Sequence, residues 1–325
     1  MPTDALTRAD AALPLAGGSR GERARRRMAH ALDWLFAGTV ASSVYGAMRI
    51  GIAGIFLVRH ADWLRPWVYL EHHRFVRGLM FMDTSALAPR LRSPLVPFLT
   101  LGDTTTHVLV YVRTGLSLLL LLGVRARITA ALLALVSYLL FAADRYRYYH
   151  HLHLLYVTLF WLALAPIGDS LTLTRGLARL RARFWPTAEQ PTAVSLRRAS
   201  SPLWPLQLLR AQALSVYVAA AVSKLDASFL RGDALRELET AWVLKGAVWE
   251  TARDALGYGG VATLSAGTEL MIALGLAVRP TRRVSVLLAW TFHAGISLCM
   301  PVYSFGAQMA VLVFAFWPKT TSNPA

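Results

Sequence analysis

Residues 204–232 read WPLQLLRAQALSVYVAAAVSKLDASFLRG, an apolar run that ends on a lysine. The run is roughly twenty residues long, enough to cross a bilayer as a helix, and Lys224 falls where such a helix meets the headgroups. Within it Ser215, Ala219 and Ser223 recur every four residues, a small-residue ridge against which a neighbouring helix can approach closely. Ala220 and Tyr217 lie one and two turns before Lys224, on its own face. Two readings of that lysine stand side by side: an ammonium snorkelling to the headgroups, or an amine in a protein-lined cavity that acts as a base with Tyr217 as its hydrogen-bond partner.

Windows of similar character lie near residues 40–58, 106–123, 127–143, 149–167, 260–278, 283–300 and 302–318, making about eight with the first. The chain has 325 residues, 55% of them hydrophobic and 16% charged, with a mean hydropathy of +0.44. These values leave the soluble class for the membrane class, and the expected fold is all-α: a polytopic transmembrane helix bundle with interfacial helices. A net charge of +16 does not indicate nucleic acid, because the arginines cluster between apolar segments and form no single basic face with interleaved aromatics. They read as topology signals and as attraction to anionic lipid. Cys299 has no second cysteine to pair with.

Residues 1–34 are expected to form a disordered cytoplasmic tail without a cleaved signal peptide, basic at Arg23, Arg25, Arg26 and Arg27 and ending in an interfacial helix. Residues 35–318 make one transmembrane domain, and 319–325 a C-terminal tail. The connectors GVRAR, AVRPTRR and 168–203 are arginine-rich, so the positive-inside rule gives an N-in, C-in chain in a bacterial-type cytoplasmic membrane. Segment 59–105 is aromatic and amphipathic, and reads as a cap of interfacial helices on the extracytoplasmic face. The 144–149 turn and segment 224–259 fall on that face too.

Ionisable residues at membrane depth are functional candidates by default. Arg49, Arg113, Glu269 and His293 qualify. For the two arginines, an ion pair with Glu269 and a clamp on backbone carbonyls are the structural alternatives. His293 reads either as a satisfied core histidine or as a polar group of an inner site. Asp226 either orients the loop after Lys224 or caps the following turn. His150 and His153 are one helical turn apart, yet nine histidines without repeated ligand motifs do not make a metal centre, and no metal is expected.

Four segments resemble the family that contains the vitamin K-dependent gamma-carboxylase and its bacterial relatives, the horizontally transferred transmembrane (HTTM) domain. SKLDASFLRGDAL at 223–235 is similar to the family's lysine motif, and DRYRYYHHLHLLYVTLFWLALAP at 144–166 to its histidine segment. ELMIALGLAVRPTRRVSVLLAWTFHAGISLCMPVYSFGAQMAVLV at 269–313 looks like its closing helices with the Phe-His pair, and MRIGIAGIFL at 48–57 like the start of its first helix.

The resemblance implies a membrane enzyme using a reduced vitamin K-type naphthoquinone, menaquinol in a bacterium, with oxygen. Together these generate a base strong enough to deprotonate a substrate, with or without addition of carbon dioxide as in the carboxylase. It implies Lys224 as the catalytic base, His151 beside the quinol and His150 as a second polar contact. The implied partners are membrane lipid, the lipid quinone and a peptide or small-molecule acceptor. The sequence departs from the family's pattern at Tyr149 and His150, where asparagine usually stands, and at Leu152 and His153. The alternative function is a non-catalytic membrane maturation or partner factor for a secreted peptide.

Overall fold

Eight of the helices coincide with the eight apolar windows. They belong to a computed structural model that describes residues 21, 25, 38–59, 101–143, 150–184, 200–300 and 303–317. Residues 60–100 of the expected interfacial cap, the N-terminal tail apart from positions 21 and 25, and the turn at 144–149 lie outside the described residues, while residues 103–105, expected within the cap, already belong to a helix.

A three-residue strand, β1 (Thr39–Ala41), leads into α1 (Ser42–Arg59). Helices α2 (Asp103–Leu122) and α3 (Ala126–Ala143) follow, then α4 (His150–Leu164) and the polar, arginine-rich α5 (Leu173–Phe184). Strand β2 (Ser200–Pro202) precedes α6 (Trp204–Ser223), which is followed by the short α7 (Ala227–Leu230) and α8 (Asp233–Thr240). The chain closes with α9 (Ala247–Ala277), α10 (Arg282–Cys299) and α11 (Tyr303–Phe314).

Local chemistry sets the breaks. Helix α2 stops at Gly123, which takes the left-handed conformation (φ 78°) and donates to the Leu119 and Leu120 carbonyls; that conformation costs an L-residue. Helix α9 changes direction at Gly257 (φ 67°, ψ 170°), a backbone conformation open mainly to glycine. Between α9 and α10 the extended Val278 and a turn at Arg279–Thr281 reverse the chain.

Neighbouring contacts close a ring. Helix α1 packs on α2, α2 on α3, α3 on α4, α4 on α6, α6 on α9, α9 on α10, α10 on α11, and α11 returns to α1. Tyr45, Met48 and Ile52 of α1, Leu155 and Leu159 of α4 and Leu206 and Leu209 of α6 fill the inside. The outside keeps Leu118, Leu132, Leu135, Phe160, Leu264 and Leu274 exposed, far more apolar surface than a soluble monomer leaves open. Thr104–Leu122 within α2, α6 and α9 are each long and apolar enough to cross a membrane, while Ser42–Val58, Ala126–Ala142, Leu152–Leu164 and Ser304–Phe314 are shorter apolar helices. Among the described residues three candidate spans therefore stand on their own length and composition, and the expected count of about eight exceeds them.

Two details depart from the sequence reading. Strands β1 and β2 pair antiparallel, Thr39 with Pro202 and Ala41 with Ser200, a small ladder among described residues that otherwise form helices and turns. It forms where the chain enters two helices and backbone groups would otherwise lack partners. The ridge of Ser215, Ala219 and Ser223 is exposed, and it is Ala213, Tyr217 and Ala221 that α6 turns inward. Both rows repeat every four residues; the inward one carries the large aromatic that fills the core.

Candidate functional site

Lys224 is the residue after the last turn of α6, its backbone N–H still bonded to the Ala221 carbonyl. The side chain turns back along the bundle: Nζ donates to Oε2 of Glu269 on α9 at 2.6 Å. The ammonium also sits 5.7 Å from the centre of the Phe229 ring. The lysine is 23% exposed and the glutamate 8%, so the pair is at the edge of the buried interior.

Next to it, Tyr217 OH and His293 Nε2 share a hydrogen bond of 2.8 Å, both residues buried. Tyr217 therefore bonds His293 and not Lys224, whose ammonium is held by Glu269. Both pairs join α6 to the closing helices, Tyr217 lying two turns before Lys224 on the same helix. The rings of Phe292 and Phe305 meet His293 edge-on at 5.5 and 5.4 Å. Its Nδ1 is buried and has no hydrogen-bond partner. Whichever tautomer the ring adopts, one nitrogen remains unmatched in an apolar surround.

Asp226 accepts from the backbone N–H of Ser228 and Phe229 at 2.9 and 3.3 Å, so it is the N-cap of α7 and fixes the turn that carries Lys224. Arg49 is fully buried and is a carbonyl clamp: it donates to Leu120 and, at 2.7 Å, to Leu121 at the end of α2, and at 2.6 Å to Leu171 ahead of α5. Its hydrogen bonds go to these carbonyls and not to Glu269, which pairs with Lys224. Arg113 is buried on α2, its carbonyl accepting from the Ser117 hydroxyl at 2.8 Å. Helix α4 starts at His150, but the side chains of His150 and His151 lie outside the described residues. His153 Nδ1 bonds Tyr138 OH at 3.0 Å. Among the described residues no group of three or more His, Cys, Asp or Glu side chains could hold a metal ion.

Sequence reasoning missed a second cluster. Glu239 at the end of α8 accepts from Trp249 Nε1 at 2.9 Å and from Arg253 and Tyr258, tying the segment after Lys224 to the first half of α9. The Tyr258 hydroxyl foremost, then Trp249 and Arg253, holds its carboxyl below the ordinary carboxylate value. The only sequence signal was the aromatic and charged spacing in WETARDALGY, which also reads as a plain amphipathic helix.

Fold and site together define a helical membrane protein with an ion pair at the edge of its buried interior and a buried tyrosine–histidine pair further along the same helix. The chain belongs to the HTTM domain family, whose family model matches residues 88–319. No curated protein and no solved structure gave a significant match.

Proposed function

We propose that the chain is a membrane enzyme of the vitamin K-dependent gamma-carboxylase type, acting on a reduced naphthoquinone such as menaquinol with oxygen, with or without carbon dioxide addition to an acceptor. The observation that carries this reading is the Lys224–Glu269 pair beside the buried Tyr217–His293 pair. A quinol fits here on the residues' own chemistry. The unmatched Nδ1 of His293 offers a polar contact within aromatic walls, the mix expected of a small-molecule site. Bound there with oxygen, the quinol supplies a base strong enough to remove a carbon-bound proton.

Lys224 and Glu269 act as one proton-holding unit. Moving the shared proton from Nζ to Oε2 leaves a neutral amine with a free lone pair, without creating a new net charge in the interior. Nζ can then accept a hydroxyl proton. Asp226 fixes the backbone that aims Nζ. In this reading His151 positions the quinol, as the family resemblance implies, with His150 as a second contact.

The same reading has eight helices crossing a bacterial-type cytoplasmic membrane, N-terminus and C-terminus inside and Lys224 toward the extracytoplasmic face. The segments 123–128, 168–184 and 278–283 carry nine arginines against one aspartate, whereas residues 224–259 carry five cationic and six anionic side chains. That asymmetry supports the orientation.

A second reading has its own support. The 2.6 Å ion pair already satisfies the amine, as a structural cross-link would. It favours the non-catalytic maturation or partner factor for a secreted peptide.

The test is an assay of the purified chain in detergent with reduced menaquinone and air, following quinone epoxide by mass spectrometry. Epoxide from the unaltered protein and none from Lys224→Ala supports the enzyme. Turnover retained by Lys224→Ala overturns Lys224 as the base. A folded but inactive chain that co-purifies with a small secreted peptide supports the partner factor.

A further inference from the structure

We propose that α5 lies flat in the headgroup layer of an anionic phospholipid leaflet and seats the basic end of the bundle on that surface. Leu173, Leu177, Leu180 and Phe184 follow one another at four, three and four residues, which puts them on a single stripe of the helix. All four are open, between 46% and 65% exposed, and α5 packs extensively against no other described element. The rest of the helix is basic, with arginines at 175, 179, 181 and 183 and no acid. A short helix with an apolar stripe and a cationic remainder is the pattern that lies in an anionic membrane surface.

The helix is also held in place. Its approach is fixed by Arg49, which grips the Leu171 carbonyl at 2.6 Å, and by Ser170, whose hydroxyl donates to the Ser42 carbonyl at 2.8 Å. The Thr172 hydroxyl accepts from the Arg175 N–H at 3.4 Å at its first turn. Arg125 and Arg127 border an open groove at the same end, between the start of α3 and the end of α4. Arg279, Arg282 and Arg283 lie at the α9–α10 reversal, also at this end. Charge complementarity therefore selects anionic lipid as the occupant of the stripe, and the geometry does not depend on any chemistry at Lys224.

The full chain, with Cys299→Ser and a single cysteine at either Leu177→Cys or Ala178→Cys, is spin-labelled and reconstituted into phosphatidylglycerol or phosphatidylcholine vesicles. In phosphatidylglycerol the label at 177 should collide about threefold less with a water-soluble nickel chelate than the label at 178, with the order reversed for oxygen. Arg175→Glu with Arg181→Glu should bring the two positions together, and phosphatidylcholine should narrow the gap. Equal nickel access at 177 and 178 in phosphatidylglycerol overturns the proposal. So does protection of 177 accompanied by spin–spin broadening that grows with protein density, which would assign the stripe to a second copy.

Discussion

Lys224 Nζ and Glu269 Oε2 meet at 2.6 Å across 45 residues of sequence, cross-linking the end of α6 to the apolar half of α9. Removing one partner leaves a charge in a mostly buried place. Lys224→Met or Glu269→Leu alone should therefore destabilise the protein by roughly 2–3 kcal/mol, moderated by the partial exposure of the lysine. The double substitution should recover most of that loss. Thermal unfolding in detergent of the four forms measures it, and additive losses would contradict a direct pair.

Tyr217→Phe removes the only group that satisfies His293 Nε2. With Nδ1 already unmatched, the ring would have no hydrogen bond, and the expected loss is about 1–3 kcal/mol. The histidine's NMR signal should change tautomer population in this variant and stay unchanged in Tyr138→Phe, which touches His153 instead.

Gly123 and Arg49 form one structural joint. A Cβ at Gly123 would come within 2.6 Å of Thr172 Cγ2 and 2.9 Å of an Arg49 guanidinium nitrogen, at a φ unsuited to alanine. Gly123→Ala and Arg49→Lys should each lower stability by more than about 1.5 kcal/mol, since lysine cannot present a fork to carbonyls on two segments. Their combination should cost less than the sum, because both damage the same contact.

Glu239 sets a pH dependence for the segment between α6 and α9. Its hydrogen bonds lower the folded carboxyl below 4.5, so the stability it contributes is complete above that value and is lost as pH falls through the lower, folded one. Hydrogen-exchange protection across 233–258, relative to the intrinsic rate at each pH, should fall below pH 4.5 while α3 and α4 remain protected. Glu239→Gln should lower it at neutral pH and remove the acid step.

The positions of eight apolar helices were legible because length and hydropathy are properties of a local window. The break at Gly123 was legible from the arginine-rich turn beside it. Lys224, Glu269, His293 and Tyr217 were singled out one at a time, as ionisable or aromatic groups at membrane depth. Their pairing was not legible: Tyr217 was assigned to Lys224, although the carboxylate that takes the ammonium arrives from a helix 45 residues on. The close-packing row of α6 was misread because the Ser215 row and the Ala213–Tyr217–Ala221 row share the same period, and only packing against α9 and α4 distinguishes them. The Glu239 cluster depends on the direction change at Gly257, which no periodicity encodes.

The β1–β2 ladder, with the Ser42–Ser201 and Tyr45–Pro202 hydrogen bonds that accompany it, joins residues about 160 positions apart. A ribosome adding 5–20 residues each second makes Pro202 roughly 8–30 s after Ala41. For that interval the first helix has left the ribosome without the latch that later holds its base. Its early companion is α2, the next described helix, which packs on it. The ladder closes only after Pro202 is made and the ring only after α11 follows, so the nascent first helix depends on the insertion machinery until then.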